Sequence, residues 1–582
     1  MKYTYLKTLS CFCLIILVFS TSCKKLEKPV GDDVTEDVIF SSAINAQSFL
    51  FETYRIAIPY GFPYHSANNT PHMDRSIGAD ISDETETCMF FSPTSEINIA
   101  GFQPNNSRLT NDNFSYNYIS IRRAFIVLEN IDKVPDYSEL EKNQIKGECK
   151  ALLALRYSYM FKHYGGLSLV KKRLSVEDDI KIPRSSVAET VDYIVQLCDE
   201  AAAVLPNSYE GRFTGRLTKG VALAIKAETL LFAASPLFNT NTPYASSANR
   251  ELISYSGFDV NRWKLAADAS KAVIDWSLAN GYEIIDTNNP FDDYGRATSE
   301  QDNPEILLAY KGQVNENGFT RWYLPNLGAF NAGHGITYNI LPKFYKADGT
   351  NQTWPALGDA KRPYSEYKQK MDAMEPRFRQ MAWIWGQYPY SNPIHPRFQW
   401  LFSGEVGQQN SLANVAKLVK FTYKYEGGTN QNYAPDWTYF RLAEFYLNYA
   451  EAMNEFSANS AESYTALNII RDRAGLPIIL LSDPRYNSQE TLRELIHRER
   501  AIELFAEDHR AFDVRRWRIA DRPGIIGGDF FGFRYTRNSA QTAYIDYEVY
   551  KIETRFWQDK MYLSPFPQIE VNKGYLTQNP GY

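Results

Sequence analysis

Two carboxylates four residues apart, Glu499 and Glu503, are the pair in this sequence best spaced for catalysis. On a helix, groups at i and i+4 stand roughly 5–6 Å apart at Cβ, close to the carboxylate gap of a retaining glycosidase. Their surroundings argue for another role. In the stretch 492–517, LRELIHRERAIELFAEDHRAFDVRRW, Leu492, Leu495, Ile496 and Ile502 fall on one helical face, and Glu499 and Glu503 lie inside that apolar stripe. A carboxylate facing a core has to be paired, because an unpaired buried charge is very costly. Arg498, Arg500, Arg510, Arg515 and Arg516 are the cations at hand. The segment therefore reads as a structural ion-pair lock, with no catalytic residue in it.

Other reactive constellations are absent. The seven histidines are scattered, with neither HExxH nor clustered His/Cys spacing. P-loop, nucleophile-elbow and dinucleotide-binding glycine motifs are missing too. The segment 286–295 has the flavour of a calcium loop but lacks the EF-hand glycine, so a structural calcium is possible and no other cofactor is called for. Between 490 and 518 every Arg has an acid within a turn or two, and the net charge is -6. That pattern excludes nucleic acid as a partner.

Binding chemistry is better represented. Aromatic residues make up 14% of the chain, with 40 Tyr and 10 Trp. Trp322, Tyr323, Trp354, Trp383 and Trp385 lie in an irregular middle region, and Tyr294, Phe102, Asn68, Asp74, Arg75 and Asn106 extend the set. Sugars present flat C–H faces edged by hydroxyls. A site for them wants an aromatic plane with Asp, Asn and Arg at its rim.

The elements that position these residues are mostly helices. Helical patterning covers 38–58, 113–133, 141–164, 187–205, 218–234 and 260–280, with Ile121, Phe125 and Leu128 striping the second and Gly165 capping the third. The run RLAEFYLNYAEAMNEFSANSAESYTALNIIRDRAGLP forms a further pair, striped by Ala443, Tyr446, Leu447 and Ala450, then Leu467 and Ile470. Small residues at helix crossings with aromatics opposite suggest tetratricopeptide-like packing. Regular patterning stops at 59–112 and again at 281–437, where only short strand-like pieces such as EILLAY and KLVKFTYKY interrupt the loops.

At the N-terminus, Lys2 and Lys7 precede an apolar run too short for a permanent span, then FSTSC ending at Cys23. This resembles a bacterial lipobox and implies cleavage before Cys23 and diacylation of its thiol, with 24–36 as a polar tether. Cys88, Cys149 and Cys198 remain, an odd set that forms no disulfide framework.

ERAIELFAEDHRAFDVRRW resembles the signature of the SusD/RagB family of nutrient-binding outer-membrane lipoproteins of Bacteroidetes. Asp508 stands where that signature usually has Gly, and Asp tolerates positive φ better than most residues. GECKALLALRYSYMFKHYGG, VALAIKAETLLFAASPLFN and the closing QNPGY are similar to further family phrases, although Ser168 stands where Pro is usual. The resemblance implies a mainly α fold: tetratricopeptide-like helical repeats with an irregular loop-rich α+β subdomain. Its expected organisation is a signal peptide at 1–22, a tether at 23–36 and an N-terminal helical region with an early binding loop at 37–280. A loop-rich subdomain at 281–437 and a C-terminal helical region at 438–582 complete it. The implied function is non-catalytic surface capture of an oligosaccharide for a SusC-like TonB-dependent transporter. Peptide capture, as in the RagB branch, and a surface glycosidase are the alternatives. In the family, ligand contacts come from such loops and from no fixed motif.

Overall fold

The computed structural model describes residues 35–62, 76–87, 92–106, 114–311, 333–384, 414–423, 435–540 and 543–582. Its helices begin where side chains satisfy the free amides of a first turn. Ser42 accepts from the Asn45 amide to start α1 (Ala43–Ala57), so the helix expected over 38–58 is instead a short turn followed by a new start. α2 (Phe114–Asn130) precedes α3 (Glu139–Tyr164), which opens on a Ser138/Glu141 capping box and ends at Gly165, as expected, with φ 78°. α4 (Val187–Ala202) repeats the device with Ser186 and Glu189, and α5 (Lys219–Ala234) and α6 (Asn261–Ala279) follow. Each of these helices packs against the one before it, as in a tetratricopeptide-like array. Ala222, Ala224 and Ala227 on α5 are buried in the main core, while Ala266 and Ala267 on α6 pack with Leu231 and Ala234 of α5, where small side chains let helix axes approach.

The middle of the chain carries α7 (Pro290–Ser299), α8 (Pro376–Met381) and short strands. β1 (Thr85–Thr87) comes from the early region, followed by β2 (Ile306–Tyr310), β3 (His334–Ile336), β4 (Ala382–Trp383), β5 (Ala416–Leu418) and β6 (Trp437–Arg441). β1, β3, β5 and β4 form one antiparallel sheet in that order, and β2 pairs with β6. Of the expected strand KLVKFTYKY, Lys417 and Leu418 fall in β5, and its other described residues, 419–423, are not strand.

Beyond β6 the chain returns to helices: α9 (Leu442–Phe456), α10 (Ala461–Arg473), α11 (Gln489–Glu503) and α12 (Arg510–Arg516). α9 packs on α6, α10 and α11, which joins the two halves of the helical frame. A long hairpin, β7 (Gly528–Arg537) and β8 (Tyr544–Arg555), follows; the sequence pattern did not announce it. One continuous apolar core runs through all of these regions. Among the described residues no helix is long and apolar enough to cross a membrane, and Cys149 and Cys198 are free, buried thiols.

The expected lock exists, with different partners. Glu499 and Glu503 are fully buried on the apolar face of α11 beside Leu492, Leu495, Ile496 and Ile502. Arg377 from α8 reaches Glu499 at 3.1 Å and Glu503 at 3.2 Å. Arg471 from α10 also binds Glu499, and Arg473 binds Glu503. Arg441, at the end of β6, bridges Glu503 at 2.7 Å and Glu507 at 2.8 Å. Glu375, Glu305 and Lys420 complete the cluster, so five carboxylates meet five cations. Burial alone would raise the Glu507 carboxyl; the charges of Arg441 and Lys420 overcome it and hold it at about 2.

The arginines close in sequence serve elsewhere. Arg510 binds Asp83 at 2.7 Å, and Arg516 binds Glu451 at 2.6 Å and Asp513 at 2.8 Å. Arg500 also takes Asp513, while Arg498 lies 3.6 Å from the Tyr345 ring centre. Arg555 joins the hairpin to Glu86 in the early region. Arg515 is a correction to the expected lock. Its Nε donates to the Ala511 carbonyl at 2.8 Å, its plane rests 4.8 Å from the Phe512 ring, and it makes no ion pair among the described residues. Burial without a carboxylate brings it down to about 10.

Glu503→Gln keeps the shape of the side chain and leaves Arg377, Arg441 and Arg473 short of a counter-charge. It is expected to lower unfolding free energy by ~3–5 kcal/mol in urea denaturation. A loss well below that range would show that the cluster relaxes around the missing charge.

Candidate functional site

Five aromatic rings from four separate stretches of chain meet beside the β2–β6 pair. Tyr310 and Trp437 are register partners across the two strands. Phe62 stands edge-on to Trp437 at 5.0 Å and to Phe421 at 5.1 Å, while Tyr60 lies 4.7 Å from Tyr310. Gly61 makes this possible: a Cβ there would come within 2.1 Å of the Trp437 ring. Phe421 holds φ at 67°, a region that bulky residues avoid, so local backbone strain is accepted to bring its ring into the cluster. All five rings are buried.

This cluster is where three of the aromatic or polar loop segments join the described chain. Phe62 precedes 63–75, Lys311 precedes 312–332 and Tyr423 precedes 424–434. Asn68, Asp74, Arg75, Trp322 and Tyr323 belong to the first two of these segments, and Trp385 follows β4; all six lie outside the described residues. An ion pair from Lys311 to Asp436, 2.8 Å long, ties the two strand ends together at the same place. The cluster itself was not nominated from sequence. Its signals were present in the apolar EILLAY and in WTYFR, but neither reveals which distant rings will meet them.

Three aromatics nominated as ligand contacts prove to be packing residues, since a stacking face has to be accessible. Tyr294 is fully buried; its hydroxyl donates to the Glu503 carbonyl at 3.1 Å, and Lys420 and Arg473 lie over its ring. Phe102 sits in a small core with Ile81, Ile97 and Met561. Trp383 is 3% exposed on β4. Trp354 is half-buried against Phe533 of the hairpin, and Asn106 is exposed. Neither touches the five-ring cluster. In the segment 286–295, Asp293 accepts from the Thr287 amide and hydroxyl and from the Asn289 amide, thereby fastening the start of α7. Among the described residues no group of three or more His, Cys, Asp or Glu side chains is arranged to hold a metal ion.

Beneath Tyr60 and Trp437 a cavity of about 80 Å³ reaches the turn between α11 and α12. It is lined in part by Lys162, His163, Glu228, Tyr439, Asp508 and His509. Lys162 and Glu228 pair at 2.6 Å, with Phe232, Tyr439 and Phe512 around the ammonium. Burial lowers His509 to about 3, so its ring is neutral. Asp508 adopts the left-handed backbone anticipated for it, with φ 60°. A Cβ on Gly78 would come within 2.6 Å of its Oδ1. Burial pushes the Asp508 carboxyl up to about 7 against the opposing amides of Gly78 and Ala79.

Three acids, Glu228, Glu507 and Asp508, line this one cavity, and its size limits what they can reach. A cavity of about 150 Å³ is needed to hold benzene, and ligand sites run to roughly 300 Å³ or more. A space of about 80 Å³ suits a few water molecules and admits no sugar ring. Glu499 and Glu503 are in turn fully buried and locked in ion pairs.

The matching family models are described as the SusD family, over residues 304–582, and as starch-binding associating with outer membrane, over residues 33–231. SusD-like protein P38 of Formosa agariphila is 22% identical over 434 residues, covering 71% of this chain and 73% of the relative. A crystal structure of a SusD-like protein from Bacteroides fragilis is 25% identical, covers 95% of this chain and 99% of its own, and superposes with a TM-score of 0.73. A laminarin-binding SusD-like protein is 18% identical, covers 93% of this chain and 100% of its own, and shares the fold with a TM-score of 0.58.

Asp508 carries a pH prediction. Its folded pKa of about 7 lies above the ordinary 3.8, so the stability it contributes is complete below about pH 4 and is lost as pH rises toward 7. Asn fits the same left-handed backbone and does not titrate. Asp508→Asn is expected to gain melting temperature relative to the parent as pH is raised from about 4 to about 8. Parallel curves would show an ordinary carboxyl.

Proposed function

The chain belongs to the SusD/RagB family, and we propose on that premise that it captures glycans at the outer membrane without cleaving them. The observation that carries the proposal is the five-ring cluster. It is a rigid root from which the segments bearing Trp322, Tyr323, Asn68, Asp74 and Arg75 depart. A sugar-binding surface needs aromatic planes and directed polar groups on a base that does not yield. The names of the relatives, starch-binding for the family model and laminarin-binding for one structural neighbour, agree in kind with that chemistry.

The mechanism follows from what the frame offers and withholds. Glycan is held by stacking and by hydrogen bonds from the loop surface, which gives residence time. The two acids spaced for catalysis, Glu499 and Glu503, are paired, and the acids of the cavity have no room for a sugar, so in this reading hydrolysis belongs to other proteins. In this reading the protein is tethered by lipid on Cys23 and passes its glycan to a SusC-like TonB-dependent transporter.

Titration of the purified protein against a panel of neutral and acidic oligosaccharides tests the reading, and turnover of any of them would refute it. Trp322→Ala is expected to weaken the bound glycan by ~1–3 kcal/mol with an unchanged melting temperature. A lowered melting temperature with intact affinity would make that ring a packing residue. Cys23→Ser should abolish incorporation of radiolabelled palmitate and release the protein from the membrane fraction; retention of label would place the anchor elsewhere.

A further inference from the structure

A groove of about 550 Å³ opens between the outer face of α1, the turn 211–216 and the end of β2. That volume falls within the range of small-ligand sites. Its charges are lopsided: Arg55, Arg212, Arg216 and Lys311 line it against Glu52 alone, on a chain whose net charge is -6.

The carboxylates nearby are already engaged. Arg55 takes both oxygens of Glu52 at 2.7 Å. Arg216 binds the buried Glu148, 2.9 Å from its Nε, and Tyr54 and Tyr209 share that carboxylate. Lys311 is bound to Asp436 and Asp302. Arg212 differs from the other three. Its guanidinium is exposed, 4.9 Å from the Phe213 ring, and meets no carboxylate among the described residues. Phe51, 39% exposed on α1, adds an aromatic face to the same groove.

Such a surface selects against neutral sugars. A hydroxyl is best held when it can both donate and accept, and here the lining carboxylate Glu52 is spent on Arg55 while Arg212 keeps its donors. A carboxylate or sulfate only accepts, and it matches the planar fork of an arginine.

We infer that this groove binds the anionic groups of an acidic glycan, uronate carboxylates or sulfate esters, with Arg212 as the main contact and Phe51 against the sugar face. The inference rests on the glycan-capture reading and narrows its substrate class. The full chain in detergent would be titrated calorimetrically with tetragalacturonate, a sulfated carrageenan tetrasaccharide and neutral laminaritetraose. The expected result is binding of at least one acidic probe, weakened by salt as exposed charges are screened, and weakened roughly tenfold or more by Arg212→Gln. The two acidic probes separate carboxylate from sulfate. Binding of laminaritetraose alone overturns the inference and leaves glycan capture standing. Acidic binding that survives both Arg212→Gln and Phe51→Ala, at unchanged melting temperature, also overturns it, because the site then lies elsewhere. Binding of none of the three removes both readings.

Discussion

A helix that points carboxylates into its own apolar core can exist only if the rest of the chain brings them cations. α11 does so with Glu499 and Glu503, and Glu507 continues the row past its end. The cations come from α8, from the ends of β5 and β6, and from α10, so the irregular middle region and the helical frame are held by one cluster. Apolar side chains of the same volume would often serve stability as well or better. What charges add here is register. A one-residue slip of α8 or β6 would strand several buried ions at once.

The functional reading depends on the same rigidity. Trp437 leads into Arg441 along β6, so the strand that supplies a ring to the cluster also supplies a cation to the lock. Phe421 stands next to Lys420, which binds Glu507. Neighbouring residues of one strand and one turn therefore serve both structures, and the strained backbone at Phe421 is held between them. The ring cluster is thereby held from two sides, by its own packing and by the buried ions beside it.

How much of this was legible in sequence depended on range. Helix faces are local, and the stripes at Ile121, Ala443, Leu467 and Leu492 carried through to buried positions. So did the two carboxylates of α11. Their partners did not, because Arg377 lies 122 residues from Glu499 and no local pattern links them. The nearer arginines were drawn to Asp83, Glu451 and Asp513 instead. The hairpin at 528–555 escaped because its residues alternate only loosely between buried and exposed. For the site, aromatic content in glycine-rich surroundings pointed to whole regions and misjudged single residues. Tyr294 and Phe102 look like loop aromatics in sequence and are core residues in space, since accessibility is settled by distant chain.

The pairs Arg510–Asp83 and Arg555–Glu86 join residues 427 and 469 positions apart. During synthesis the early acids emerge long before any counter-ion exists, and burying them alone would cost several kcal/mol each. The acids around β1 can therefore be buried as paired ions only when the C-terminal part of the chain has docked against them. A chain truncated before the hairpin would keep Arg510 for Asp83 and leave Glu86 buried without Arg555.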